Sequence, residues 1–335
     1  MPRLPFARRM PDYAVFGGRL RSALVFPELQ PAPATPLPDG APDWSLTIAS
    51  PDDAFVARER LGAHRYPGDV EVALLRGDGR WRVETSDLGA FDLDDDGRTL
   101  VWRASAGARE ELARFDLLGR VLPIALLRAG ALALHGSSVT LAGGAVAFLA
   151  PKGHGKSTLA LRLAQRGGHL LSDDVTVLRL DGDRVVAHPG VHAVRLWDDS
   201  ASRLDVRAYG PPAAIGRKLV VAGVPDALRA TRPAPLRAVY LLQPATGAER
   251  PAGDTAAAMR TRLGATEGAL ALVRHTTAGG LLGGSEAPRV LERAAAVARR
   301  VPVYLLAAAR DFERLGDLAA TVEGWHAASP AGATA

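Results

Sequence analysis

Hydrophobic and polar positions alternate with a period of two through much of the first hundred residues. Residues 12–26 read as two short strands around Gly17-Gly18. From Trp44 to about Ala104, the runs SLTIA, DVEVALL, RWRVET and TLVWRA are separated by GDG, DLGA and DDDG, a pattern that predicts antiparallel hairpins. Between them, six prolines fall within residues 27–42. Proline locks φ and lacks an N–H, so this stretch is an extended connector and not a helix. At residues 107–129 the period changes to that of a helix, with Leu112, Phe115, Leu117, Leu118, Val121 and Leu122 on its apolar side. Strands are predicted around 131–135, 138–142 and 145–150, then a helix at about 156–167, then strands near 175–180, 184–188, 193–197 and 237–243. The last third predicts helices near 254–273, 286–299 and 311–326, with a strand at 301–307 between the last two. This gives a small β-rich N-terminal domain (residues 1–125), an α/β domain (126–328) and a loose Ala/Gly/Thr-rich tail (329–335).

Composition changes this picture little, except in one respect. The 335-residue chain is long enough for two domains, and its net charge of +5 is spread among acidic neighbours. A nucleic-acid footprint is therefore not expected. The absence of cysteine excludes disulfides and thiolate chemistry, and the eight histidines show no paired metal spacing. Residues 1–18 lack the apolar core of a secretory signal, and residues 121–134 are too short, and interrupted by Arg128, for a membrane span. The expectation is a cytoplasmic protein with no membrane partner. The aspartate run 92–97 reads as a solvated hairpin turn and not a calcium loop, since the downstream acidic ligand is missing. The informative respect is lysine. Of 41 basic residues only Lys152, Lys156 and Lys218 are lysines. Where arginine is the default, a retained lysine points to a need for a compact point charge, and two of the three share one loop. Lys218, after Arg217, is then a candidate second phosphate or substrate contact.

That loop carries the chemistry. Residues 145–158, AVAFLAPKGHGKST, place an apolar strand before a glycine loop and a helical pattern after it. The arrangement is that of a phosphate-binding P-loop: Gly153, His154 and Gly155 turn backbone N–H groups inward, Lys156 reaches the terminal phosphates, and Ser157 and Thr158 open the helix, the serine hydroxyl facing Mg²⁺. Ala150 stands where the motif has its first glycine.

Phosphoryl transfer also needs a metal ligand and a group that handles the proton of the acceptor hydroxyl. Residues 169–178, HLLSDDVTVL, supply adjacent carboxylates, Asp173 and Asp174, that cannot face the same way at a sheet end. His135, at the end of an apolar strand, becomes a base-orienting candidate if a carboxylate lies beside it.

Taken together, residues 135–178 resemble the catalytic core of the HPr kinase/phosphorylase superfamily, most nearly the HPr kinase-related proteins that include lasso-peptide precursor kinases. The histidine, hairpin, P-loop and Asp-Asp pair carry the resemblance, and FGGRLRSALVFPEL (16–29) is similar to the opening segment of that group. The resemblance implies an α/β P-loop domain of the HPr kinase/PEP carboxykinase-like type and an ATP- and Mg²⁺-dependent kinase acting on a hydroxyl, a serine of a peptide or small protein. It implies that Lys156 binds the β- and γ-phosphates, that Ser157 and Asp174 hold Mg²⁺, and that Asp173 activates the acceptor with His135 hydrogen-bonded to it. The family's ring-like oligomers imply a homo-oligomer. The glycine-rich signature of the bifunctional enzymes is replaced by AVRLWDDS (193–200), where Asp198 or Asp199 would substitute for the family's glutamate ligand. A small-molecule kinase and a nucleotide-sensing module are the alternatives.

Overall fold

The computed structural model describes residues 10–36, 41–52, 54–66, 69–142, 144–209, 213–215, 218–221, 223–244, 258–309 and 311–327. Nine strands form the first sheet: β1 (Asp12–Val15), β2 (Gly18–Ser22), β3 (Gln30–Pro31), β4 (Asp43–Ala49), β5 (Glu59–Tyr66), β6 (Val70–Gly77), β7 (Arg80–Thr85), β8 (Gly89–Asp94) and β9 (Thr99–Ala104). Their order is β3-β1-β2-β4-β9-β8-β7-β6-β5. Strands β5 to β9 form the expected antiparallel meander, but β4 runs parallel to both β2 and β9. The proline-rich connector carries the chain back before β4 begins, so β4 enters beside β2 in the same direction. The aspartate run is the β8–β9 turn, where the Asp94 carboxylate accepts from the N–H groups of Arg98 and Thr99.

The helical stretch at 107–129 is two short helices, α1 (Glu110–Asp116) and α2 (Leu122–Arg128), joined through a wide turn, Leu117–Val121. Leu122, Ile124, Leu126 and Leu127 are buried in a core that also holds Trp44, Trp81, Phe91 and Trp102 of the first sheet and Leu134, Val175 and Val177 of the second. The expected boundary at residue 125 therefore runs through one continuous apolar core.

The second sheet comprises β10 (Leu132–Leu141), β11 (Gly144–Leu149), β12 (His169–Ser172), β13 (Val175–Asp181), β14 (Arg184–His188), β18 (Ala234–Pro244), β19 (Ala258–Arg262) and β20 (Val303–Ala308). Strand β10 was expected as two pieces and is one. Gly136 sits at its centre because a Cβ there would lie 2.4 Å from Leu149 Cδ2 and 2.7 Å from the Phe148 carbonyl. The first half of β10 pairs with β13 and the second half with β11. With β13–β14, β14–β18 and parallel β18–β11, the pairings close a ring. A third, small sheet holds β15 (Val194–Leu196), β16 (Ala213–Ile215) and β17 (Lys218–Val221) in the order β15-β17-β16. The side chain of Lys218, and all of Arg217 and residues 328–335, lie outside the described residues.

The remaining helices are α3 (Lys156–Gln165), α4 (Asp198–Arg203), α5 (Ala265–Arg274), α6 (Ala287–Arg300) and α7 (Leu315–His326). Helix α3 packs Leu159, Ala160, Leu161, Leu163 and Ala164 into a second core around Phe148 and Tyr240. Of the helix expected at 254–273, residues 254–257 lie outside the described residues, and within the rest the helix is shorter. Residues 258–262 are an edge strand antiparallel to β20, and the helix starts only after Gly264, whose N–H donates to Glu267 Oε2 at 3.1 Å. Among the described residues no helix is long and apolar enough to cross a membrane.

Burial holds four imidazoles neutral. His188, His192, His275 and His326 are held down to about 4, in each case first by loss of solvent. Unfolded histidine titrates near 6.5, so between about 4 and 6.5 the unfolded chain binds more protons and stability rises with pH. We expect the urea midpoint to be level just above pH 6.5 and to fall continuously as pH drops toward 4. A midpoint unchanged across that window would contradict the burial of these rings.

Candidate functional site

Strand β11 is buried along its whole length, clamped between β10 and β18. It delivers the chain into the glycine loop at residues 150–155, which ends on helix α3. Gly153 (φ +85°) and Gly155 (φ +83°) both take left-handed backbone, and a Cβ on either would meet no protein atom within 4 Å. The glycines answer a conformational need and leave the concave side of the loop open. The strand–loop–helix arrangement read from the sequence is therefore present.

Lys156 is 6% exposed, and its ammonium is enclosed by acceptors. Nζ donates to the Ala150 carbonyl at 2.8 Å and the Pro151 carbonyl at 3.2 Å, and lies 3.2 Å from His135 Nε2. An ammonium has only protons to give, so His135 Nε2 accepts. The imidazole proton is then on Nδ1, which donates to the Asp174 carbonyl at 3.2 Å. Burial first, and the Lys156 charge as well, push the His135 pKa down, while Asp174 opposes them. His135 is thus a neutral imidazole in a set tautomer, linking the loop lysine to the aspartate pair.

The aspartates diverge for a reason in the backbone. Asp174 has φ +68°, and the Val175 N–H donates to the Asp173 carbonyl at 2.9 Å, so Asp174 is the middle residue of a tight γ-turn. Such strain costs about 1–3 kcal/mol and recurs where side chains must be aimed. Asp173 turns inward and is completely buried. Its Oδ1 accepts from Ser137 Oγ at 2.5 Å and its Oδ2 from the Arg195 N–H at 3.2 Å. Asp174 turns toward the loop: Oδ1 lies 3.5 Å from His135 Nδ1, and Oδ2 pairs with Arg195 at 3.1 Å. The resemblance implied that His135 partners Asp173; in the structure its hydrogen-bond and ion-pair contact is Asp174.

Three contributors escaped sequence reasoning. Arg195, on β15, lies 4.2 Å above the Phe115 ring and carries the ion pair to Asp174. Glu28, in the opening segment, is paired with Arg114 at 3.1 Å and lines a small cavity with Phe115, Asp173, Asp174 and Arg195. His275 accepts the His135 N–H on its carbonyl at 2.7 Å. Each arrives from a distant stretch of chain; the glutamate and Arg195 lay in segments the resemblance had pointed to, but nothing in the sequence gave any of the three a role at the site.

Two cavities flank the loop. One of about 900 Å³ is lined by residues 153–159, by Arg195 to Ser200, and by Gln243, Asp311 and Phe312. The other, about 750 Å³, lies against Ala150, Pro151, Glu267, Arg274 and His275. His154 borders both, its Nδ1 3.2 Å from the Lys152 carbonyl. Ser157 and Thr158 face the larger one, together with Asp198 and Asp199. Asp174 does not line it. Among the described residues no three histidine or acidic side chains converge as a metal cage.

No family model matches the chain. No curated protein matches it either. Among solved structures it is similar to the Hpr(Ser) kinase/phosphatase from Coxiella burnetii, at 12% identity and a TM-score of 0.32, over 58% of this chain and 95% of that one.

Proposed function

We propose that this chain is an ATP- and Mg²⁺-dependent kinase that phosphorylates a hydroxyl, a serine of a peptide or small protein. The observation that carries the reading is the contact chain Lys156–His135–Asp174 at the mouth of the glycine loop. A module that only sensed nucleotide would need the lysine but not a carboxylate held against it through a neutral imidazole.

The residues fit the groups this reading requires. The open glycine loop, the buried lysine and the first turn of α3 form a cradle for phosphates. Magnesium keeps several waters and shares its shell with phosphates, so it needs few protein ligands. Ser157 and one of Asp198 and Asp199 would hold it, since they face the same cavity. Bound Mg²⁺–ATP supplies the transferable phosphoryl group and neutralises charge developing on it. Lys156 exchanges backbone carbonyls for phosphate oxygens. His135, fixed by its Nδ1–H, keeps that ammonium aimed. Asp174 takes the acceptor's proton as the hydroxyl oxygen bonds to phosphorus, the bond to ADP breaking on the opposite side. Arg195 holds the Asp174 carboxylate in place, and Asp173 positions the turn from beneath. In this assignment Asp174 serves the acceptor and not the metal.

The experiment mixes purified protein with γ-labelled ATP, Mg²⁺ and host lysate. We expect label on serine in a macromolecular fraction. Label confined to a low-mass product would make the acceptor a small molecule, and nucleotide binding without any transfer would overturn the kinase reading.

A further inference from the structure

The larger cavity carries more than a phosphate cradle. Trp197 caps the start of α4, lines the cavity that the glycine loop also lines, and is 41% exposed. Among the described residues it is the one Phe, Tyr or Trp side chain so exposed; the others are buried or partly buried in the packing. An exposed indole offers a flat apolar face on which a ligand ring can bury area. Ala201 N–H donates to the Trp197 carbonyl at 2.8 Å, so the backbone beneath the ring is pinned to the helix.

Phe312 lines the same cavity, with the Arg203 guanidinium over its ring at 5.1 Å. Leu242, Leu306, Leu315 and Leu318 line the same cavity, as do Gln243 and Asp311. An exposed indole, aliphatic side chains and two polar groups in one cavity match a flat heterocycle with hydrogen-bond donors on its edge. The volume of about 900 Å³ accommodates such a ring together with a sugar and a phosphate chain ending at Lys156.

We infer that Trp197 is the base platform of this site, and that it takes the purine of a nucleoside triphosphate whose phosphates occupy the glycine loop. The inference rests on the phosphate-site reading above and adds to it the recognition of the base. Gln243 can both donate and accept, as an adenine edge requires, whereas Asp311 only accepts, as the N1–H and N2–H₂ edge of guanine requires. The choice between adenine and guanine therefore lies with these two residues, and substitution separates them.

The test measures affinity by calorimetry for inorganic tripolyphosphate, ATP, GTP and CTP, each with Mg²⁺, on wild type, Trp197→Ala and Trp197→Phe. Base stacking on an aromatic side chain corresponds to about a 5- to 150-fold change in affinity. We expect Trp197→Ala to weaken purine nucleotides by that factor, to leave tripolyphosphate within twofold, and Trp197→Phe to recover most of the loss. The retained tripolyphosphate affinity also shows that the variant is folded. Wild type that binds both ligands, with purine affinity unmoved by Trp197→Ala, overturns the platform alone. Wild type that binds neither overturns the phosphate-site reading and this one with it. If Gln243→Ala weakens ATP and Asp311→Ala does not, the base is adenine; the converse with GTP makes it guanine, and indifference of both overturns the edge assignment.

Discussion

Asp174→Asn should reduce phosphoryl transfer by about 10²–10⁴-fold while leaving nucleotide affinity within a few-fold, because it removes a proton acceptor and not a phosphate ligand. The neighbouring substitution should behave differently. Asp173 is buried with Ser137 and the Arg195 N–H as its two donors. An asparagine there keeps the shape, accepts the Arg195 N–H on its carbonyl and can donate to Ser137 Oγ, so Asp173→Asn should retain transfer within about tenfold. Asp173→Ala leaves both buried donors without an acceptor, at about 1–3 kcal/mol each, and should lower the urea midpoint instead. Initial rates and denaturation curves on the three variants separate the roles. If Asp173→Asn loses transfer and Asp174→Asn keeps it, the assignment of the acceptor-side carboxylate is reversed.

Lys156→Ala should weaken tripolyphosphate and ATP binding together and lower transfer by about 10²–10³-fold, the loss expected when one preorganised charge is removed from a transition state. Lys156→Arg should fail almost as badly. The three acceptors around Nζ are two carbonyls and an imidazole nitrogen at 2.8–3.2 Å, an arrangement that suits a compact ammonium and gives a planar fork nothing to grip in parallel. Calorimetry with tripolyphosphate and single-turnover rates check both variants. An arginine variant at wild-type rate would show that a point charge is not what this position requires.

The scarcity of lysine pointed at this position before any geometry did. The strand–loop–helix frame was equally readable, because a fully buried strand, left-handed glycines and an amphipathic helix each leave a local signature. Local signals failed where pairing overrides propensity. Residues 258–262 come just before helix α5 in sequence but lie beside β20, whose edge would otherwise be unpaired. The parallel placement of β4 follows from where the proline connector ends, and no pattern within β4 reports it.

The aspartate pair marks the limit most sharply. Adjacency in the sequence already required the two carboxylates to diverge. Which of them meets His135 depended on the γ-turn at Asp174 and on Ser137 and Arg195, which come from β10 and β15 to hold Asp173 below.

Chain chemistry alone thus determined the glycine loop, its lysine and the presence of a nearby acidic pair, since these depend on a few consecutive residues and their backbone preferences. The tertiary structure decided the partner of the imidazole, the recruitment of Arg195, Glu28 and His275, and the placing of Trp197 in the cavity lining. Those depend on contacts between segments tens of residues apart or more, which a periodicity of two or 3.6 does not encode.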